Sequence, residues 1–133
     1  MKIDHLGIAV RSIDEALGLY DEALGLECVH RETVVGDGVK VALVPVGESR
    51  IEVLEPVTPD TPVGRFLEKR GEGLHHICLE VDNLAETLAR LKRVGRRLID
   101  ETPRIGVGKK KIAFVHPSSC HGVLLELSER AKD

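Results

Sequence analysis

From Ile3 to Val10 the chain reads Ile-Asp-His-Leu-Gly-Ile-Ala-Val, alternating in the manner of a strand with one buried face. Ser12 and Glu15 follow at the S-x-x-E spacing of a helix capping box. Ile13, Ala16, Leu17, Tyr20 and Leu24 then recur at helical spacing, and Gly25 ends the run. Three more strands are predicted at about 26–34, 39–46 and 50–55, with Gly36-Asp37-Gly38 as a hairpin turn. The order is βαβββ.

The same order returns from Leu74. Leu74-His75-His76-Ile77-Cys78-Leu79-Glu80-Val81 predicts a strand, Asn83 and Glu86 repeat the cap spacing, and Leu84, Leu88, Leu91 and Val94 form an apolar stripe up to Gly95. His5 and His76, Val10 and Val81, Glu15 and Glu86, and Leu17 and Leu88 are each 71 positions apart. Strands are predicted at about 96–100, 110–116 and 122–128. Ile51-Glu52-Val53 corresponds to Leu125-Glu126-Leu127, 74 positions on. Between the halves, Pro56 to Pro62 reads as a linker leading into a short helix at about 63–70, with Asp60 or Thr61 as its N-cap.

The predicted organisation is one domain over residues 1–133. Module 1 spans about 1–55, the linker and short helix 56–72, and module 2 about 73–128. Neither half can bury its sheet alone. The fold class is therefore α+β: two βαβββ modules related by a pseudo-twofold, their curved mixed sheet around a cavity and their helices outside.

Strand alternation assigns each polar residue a face. Leu6, Ile8 and Val10 share the face that packs on the helix, and His5 lies opposite with Gly7 and Ala9. In the second module Ile77, Leu79 and Val81 face the helix and His76 lies opposite. Glu52 and Glu126 each sit alone on the face opposite their apolar neighbours. Two imidazoles and two carboxylates pointing into one cavity form a nitrogen and oxygen donor set for a divalent cation. A lone strand histidine is ordinarily structural, and a lone strand-end glutamate ordinarily solvated. Recurrence at equivalent positions sets a shared metal site beside that plain reading. His75 shares the apolar face and reads as a core or hydrogen-bonding residue, His116 before Pro117 as part of a turn, and His30 and His121 as surface residues. Lys109-Lys110-Lys111 reads as a solvated face that could also attract a phosphorylated substrate.

Composition narrows the function classes. A net charge of -3 gives no reason to expect nucleic acid or an anionic membrane. Phe66, Phe114 and Tyr20 are the only aromatic residues, too few for a base-stacking surface. No apolar run approaches the roughly 20 residues that span a bilayer. Cys28, Cys78 and Cys120 are dispersed and odd in number, the pattern of free thiols in a reducing cytoplasm.

The paired βαβββ pattern resembles the vicinal oxygen chelate superfamily, which includes glyoxalase I, extradiol dioxygenases and bleomycin-resistance proteins. Within it, several stretches resemble the methylmalonyl-CoA epimerase family: 3–10, Ile51 to Pro56, Phe66 to Ile77 with its Gly-Leu-His-His, Leu98 to Gly106 with its Pro-Arg-Ile-Gly, Phe114 to Pro117, and Gly122 to Leu127. The resemblance implies metal ligands His5, Glu52, His76 and Glu126. The implied cofactor is a divalent cation, cobalt first, with manganese, nickel, zinc or magnesium as alternatives. It further implies an acyl-CoA substrate and a homodimer. Some members carry Gln at the position of Glu52, and some carry a glutamate, proposed as a base, at a position aligned with Lys40.

The implied reaction interconverts the two epimers of methylmalonyl-CoA through an enolate, with Glu126 as one base and Glu52 as its partner. A glyoxalase I-like isomerase uses the same proton-transfer logic and is the nearest alternative. An extradiol dioxygenase would use two histidines and one glutamate, leaving Glu52 surplus. A metal-free module that binds planar molecules is disfavoured by the shortage of aromatic residues.

Overall fold

The computed structural model describes residues 1–131. Two compact units divide the chain: His5–His75, and Met1–Asp4 together with the chain from His76 onward. The boundaries fall inside β1 (Lys2–Ala9) and β5 (Gly73–Val81).

The first unit holds α1 (Ile13–Leu17), β2 (His30–Val34), β3 (Val39–Val46), β4 (Ser49–Pro56) and α2 (Pro62–Arg70). Its strands lie in the order β2-β3-β4-β1, with β1 parallel to β4 and the other pairings antiparallel. Val10, Ile13, Ala42 and Val53 form its core, with Ile8, Ala16, Leu17, Tyr20 and Ile51 packed against them. The predicted cap is present: the Ser12 hydroxyl accepts the Glu15 N–H at 3.2 Å. A second acceptor went unread, because Glu55 Oε1 takes the Ile13 N–H at 2.8 Å and ties the helix start to β4.

After Leu17 the helix widens into a π-helical segment, Gly18–Ala23. The wider turn carries Leu24 off the apolar stripe, where helical spacing had placed it, and leaves it exposed. Val94 at the end of the second module's helix is exposed as well.

The second unit repeats the arrangement with α3 (Leu84–Arg93), β6 (Arg104–Ile105), β7 (Lys111–Val115) and β8 (Leu125–Glu129). Its order is β5-β8-β7-β6, with β5 parallel to β8. Asn83 caps α3 by accepting the Glu86 N–H at 3.0 Å. Val81, Leu84, Leu88, Ala113, Val115 and Leu127 form the core.

The strand predicted at about 96–100 is reduced to a single bridge, Leu98 to Val115. Backbone bonds persist, from the Ile99 and Asp100 N–H groups to the Phe114 carbonyl and from the His116 N–H to the Arg97 carbonyl, and side chains add to them. Arg97 N–H goes to the Ser119 hydroxyl at 2.7 Å, and the Asp100 carboxylate replaces a carbonyl as acceptor for Phe114 N–H at 2.8 Å. The second strand of this unit is instead the two-residue β6, at the Pro-Arg-Ile-Gly stretch.

The predicted hairpin turn contains a 3-10 segment, Val35–Asp37, that closes on Gly38 at φ 63°. A Cβ on Gly38 would lie 2.6 Å from the Thr61 methyl, and Thr61 is the N-cap of α2. Gly38→Ala is therefore expected to lower stability by about 1–3 kcal/mol, read from the midpoint of urea unfolding. Among the described residues no helix is long and apolar enough to cross a membrane.

Candidate functional site

In the first unit, β1 runs parallel to β4 with Gly7 beside Glu52. Parallel neighbours share a face, and His5 lies two residues before Gly7, so imidazole and carboxylate meet diagonally on one surface. His5 Nε2 is 3.4 Å from Glu52 Oε2, and both side chains are 7% exposed. Ile51 and Val53 turn the opposite way into the helix core, as the alternation predicted.

Lys40 belongs to the other surface. On β3 it stands opposite Glu55, and its ammonium is 3.7 Å from the Glu55 carboxylate. Leu43 is the residue opposite Glu52, so Leu43 and Val41 share the face of Glu52 and Lys40 does not. Lysine at position 40 thus takes no part in the His5–Glu52 surface.

The second unit builds the equivalent pair. On β5 and β8, Cys78 stands beside Glu126, with His76 two residues earlier on the same face. His76 Nε2 is 3.0 Å from Glu126 Oε1, again with both side chains buried. Phe114, opposite Glu126 on β7, sets its ring edge-on to His76 with centroids 6.0 Å apart. The surface continues through Ser128, whose buried hydroxyl has no hydrogen-bond partner among the described residues, to Glu80 beside it.

Lys110 corrects the reading of the basic run as a uniformly solvated face. Its ammonium lies 3.1 Å from the buried Asp4 carboxylate and 3.7 Å from Glu80. Lys111 lies 3.8 Å from Glu129. Of the remaining histidines, His75 packs edge-on against Phe66 at 4.9 Å, and His116 accepts the Ser118 N–H in the turn after β7. His30 pairs with Glu32 at the surface. Burial pushes the Cys120 thiol up, against a smaller lowering from Arg96, so it stays protonated at neutral pH. An open cleft of about 520 Å³ along α3 contains none of the four ligand candidates.

Each unit therefore buries one imidazole against one carboxylate, on the face away from its helix. Burying such groups costs free energy unless they are bonded or coordinated. The donors, imidazole nitrogen and carboxylate oxygen, suit first-row divalent cations and magnesium better than soft, thiolate-bound metals. A carboxylate in such a pair can also exchange a proton with an acidic carbon placed beside it.

Residues 4–114 match the glyoxalase/bleomycin resistance protein/dioxygenase superfamily. The chain is 46% identical over 132 residues to the uncharacterized protein YqjC of Bacillus subtilis, covering 99% of this chain and 94% of that one. It is 34% identical to an ethylmalonyl-CoA/methylmalonyl-CoA epimerase of Cereibacter sphaeroides, covering 96% and 97% of the two chains. A solved methylmalonyl-CoA epimerase in complex with methylmalonyl-CoA and NH4+ superposes with a TM-score of 0.93 at 36% identity, covering 98% of this chain and 94% of that one. The chain has the α+β fold of those structures; it belongs to the glyoxalase/bleomycin resistance protein/dioxygenase superfamily, and within it to the family of the methylmalonyl-CoA epimerases.

Proposed function

We propose that the chain is a divalent-metal-dependent methylmalonyl-CoA epimerase. The observation that carries this reading is the duplicated buried pair, His5 with Glu52 and His76 with Glu126, in a chain similar over nearly its whole length to epimerases. In this reading the two pairs together hold one cation, with two nitrogen and two oxygen donors. Cobalt is the first expectation, and manganese, nickel, zinc and magnesium suit the same donors. When bound, the cation supplies positive charge where the substrate's enolate develops. The family likeness also implies a homodimer acting in the cytoplasm.

The reaction removes a hydrogen from the carbon between thioester and carboxylate and returns one to the opposite face. Two groups must handle that proton. Glu126 is assigned one side. Its carboxylate is held against His76, both side chains are buried, and Phe114 stands across from it on β7. Glu52, its equivalent in the first unit, is assigned the other. Lys40 is no candidate, since it faces the helix side of β3.

The rival reading is a glyoxalase I-like isomerase, which would use the same residues on a glutathione hemithioacetal. The discriminating assay offers cobalt-loaded protein a single epimer of methylmalonyl-CoA and, separately, the methylglyoxal–glutathione hemithioacetal. Turnover of the CoA thioester alone is the expected result. Turnover of the hemithioacetal alone would replace the epimerase reading with its rival.

A further inference from the structure

Beyond Glu126, its face of the sheet carries a feature that none of the assigned roles uses. Phe114 stands opposite Glu126 on β7 and β8, and Ile112 stands opposite Arg104 on β6 and β7. Ile112 and Phe114 are two residues apart on one strand, so Arg104 shares the face of Glu126. Its guanidinium carbon lies 5.1 Å from the Phe114 ring centroid, and that ring in turn meets His76. Arginine, aromatic ring and histidine thus form one continuous row.

Asp100 braces the row. Its Oδ2 accepts the Phe114 N–H at 2.8 Å and the Arg104 Nε–H at 3.3 Å. The Nε position is thereby used to orient the planar guanidinium, a group matched to oxyanions. Gly106 keeps β6 close to β7, since a Cβ there would lie 2.6 Å from the Ile112 side chain. The Arg104 side chain is 40% exposed, whereas those of His76 and Glu126 are 4% and 7% exposed, which puts Arg104 at the solvent-reaching end of the row.

We propose that Arg104, seated on Phe114 and oriented by Asp100, binds an oxyanion of the acyl-CoA substrate. The inference rests on the epimerase reading for the identity of that substrate, which carries two sources of such a group: the free carboxylate of the acyl end and the phosphates of the CoA moiety. A guanidinium on an aromatic face, held at Nε and leading toward a buried proton-transfer residue, is built to orient an anion.

The test compares wild type, Arg104→Gln, Arg104→Lys and Asp100→Asn, all metal-loaded. Each receives methylmalonyl-CoA and the phosphate-free pantetheine thioester of the same acid. Affinity is read by calorimetry and turnover by epimerisation, with thermal melts confirming folded protein. Arg104→Gln is expected to weaken binding of methylmalonyl-CoA by about ten- to hundredfold, the scale for losing a charge-assisted pair. Most of the kinetic loss falls on KM. Asp100→Asn reproduces part of it, and in combination with Arg104→Gln the losses do not add.

An equal loss with the pantetheine thioester identifies the carboxylate as the partner, and a loss with the CoA thioester alone identifies a phosphate. Unchanged affinity for both thioesters in folded Arg104→Gln overturns the proposal. Wild type that binds methylmalonyl-CoA without epimerising it would sink the reaction and leave the Arg104 inference standing on the binding data.

Discussion

Glu126→Gln is expected to lower epimerisation by about 10²- to 10⁴-fold, the usual contribution of a positioned acid–base group. Glutamine is nearly isosteric and keeps a carbonyl oxygen beside His76, so the pair's geometry survives. What it loses is the capacity to take a proton at neutral pH. The signature is therefore a fall in kcat with the cation still bound and the melting temperature little changed. Glu52→Gln provides the comparison. If the two carboxylates serve opposite faces of the carbon, each variant can still exchange hydrogen from one epimer while interconversion is lost. Full activity of Glu126→Gln would remove Glu126 from the role of base.

His76→Ala is expected to have the second large effect, on the metal and on the fold together. Loss of a direct ligand should weaken cation binding by more than the 10- to 100-fold typical of losing a supporting partner. It also leaves the Glu126 carboxylate buried without its imidazole, 3.0 Å away in the intact protein, and breaking a buried pair typically costs about 3–5 kcal/mol. Wild-type protein should melt higher with added cation, by mass action on the folded state, and His76→Ala should show no such rise. His75→Ala is the internal control. Its ring packs on Phe66 on the other side of the same strand, so cation binding should persist. Equal metal affinity in His76→Ala and wild type would remove His76 from the ligand set.

The parts of the fold readable from sequence were those set by local rules. The Ser12 and Asn83 caps depend on a side chain three residues from its N–H partner, and both formed as spaced. The faces of His5, Glu52, His76 and Glu126 follow from strand alternation, and the structure pairs them within each unit. Where longer-range contacts decide, the pattern was silent. The strand expected at 96–100 is a single bridge, where Asp100 and Ser119 side chains take hydrogen bonds beside the backbone bonds to Phe114 and His116. Leu24 left the core because of a π turn that apolar spacing does not reveal. The side on which Lys40 lies was not legible, because it depends on register, which the β3–β4 pairing with Glu55 sets. The row of Arg104, Phe114 and His76 was unreadable for the same reason: it joins three strands, and its brace, Asp100, lies in a segment expected to be regular.

The central claim is a cation-assisted proton transfer at the carbon between thioester and carboxylate. Proton NMR of cobalt-loaded protein in heavy water, with a single epimer of methylmalonyl-CoA, tests it most directly. The account predicts loss of the α-hydrogen signal together with growth of the opposite epimer, both abolished when the cation is removed and restored when it returns. No exchange above that caused by cobalt alone, with the cation confirmed bound to the protein, would contradict it.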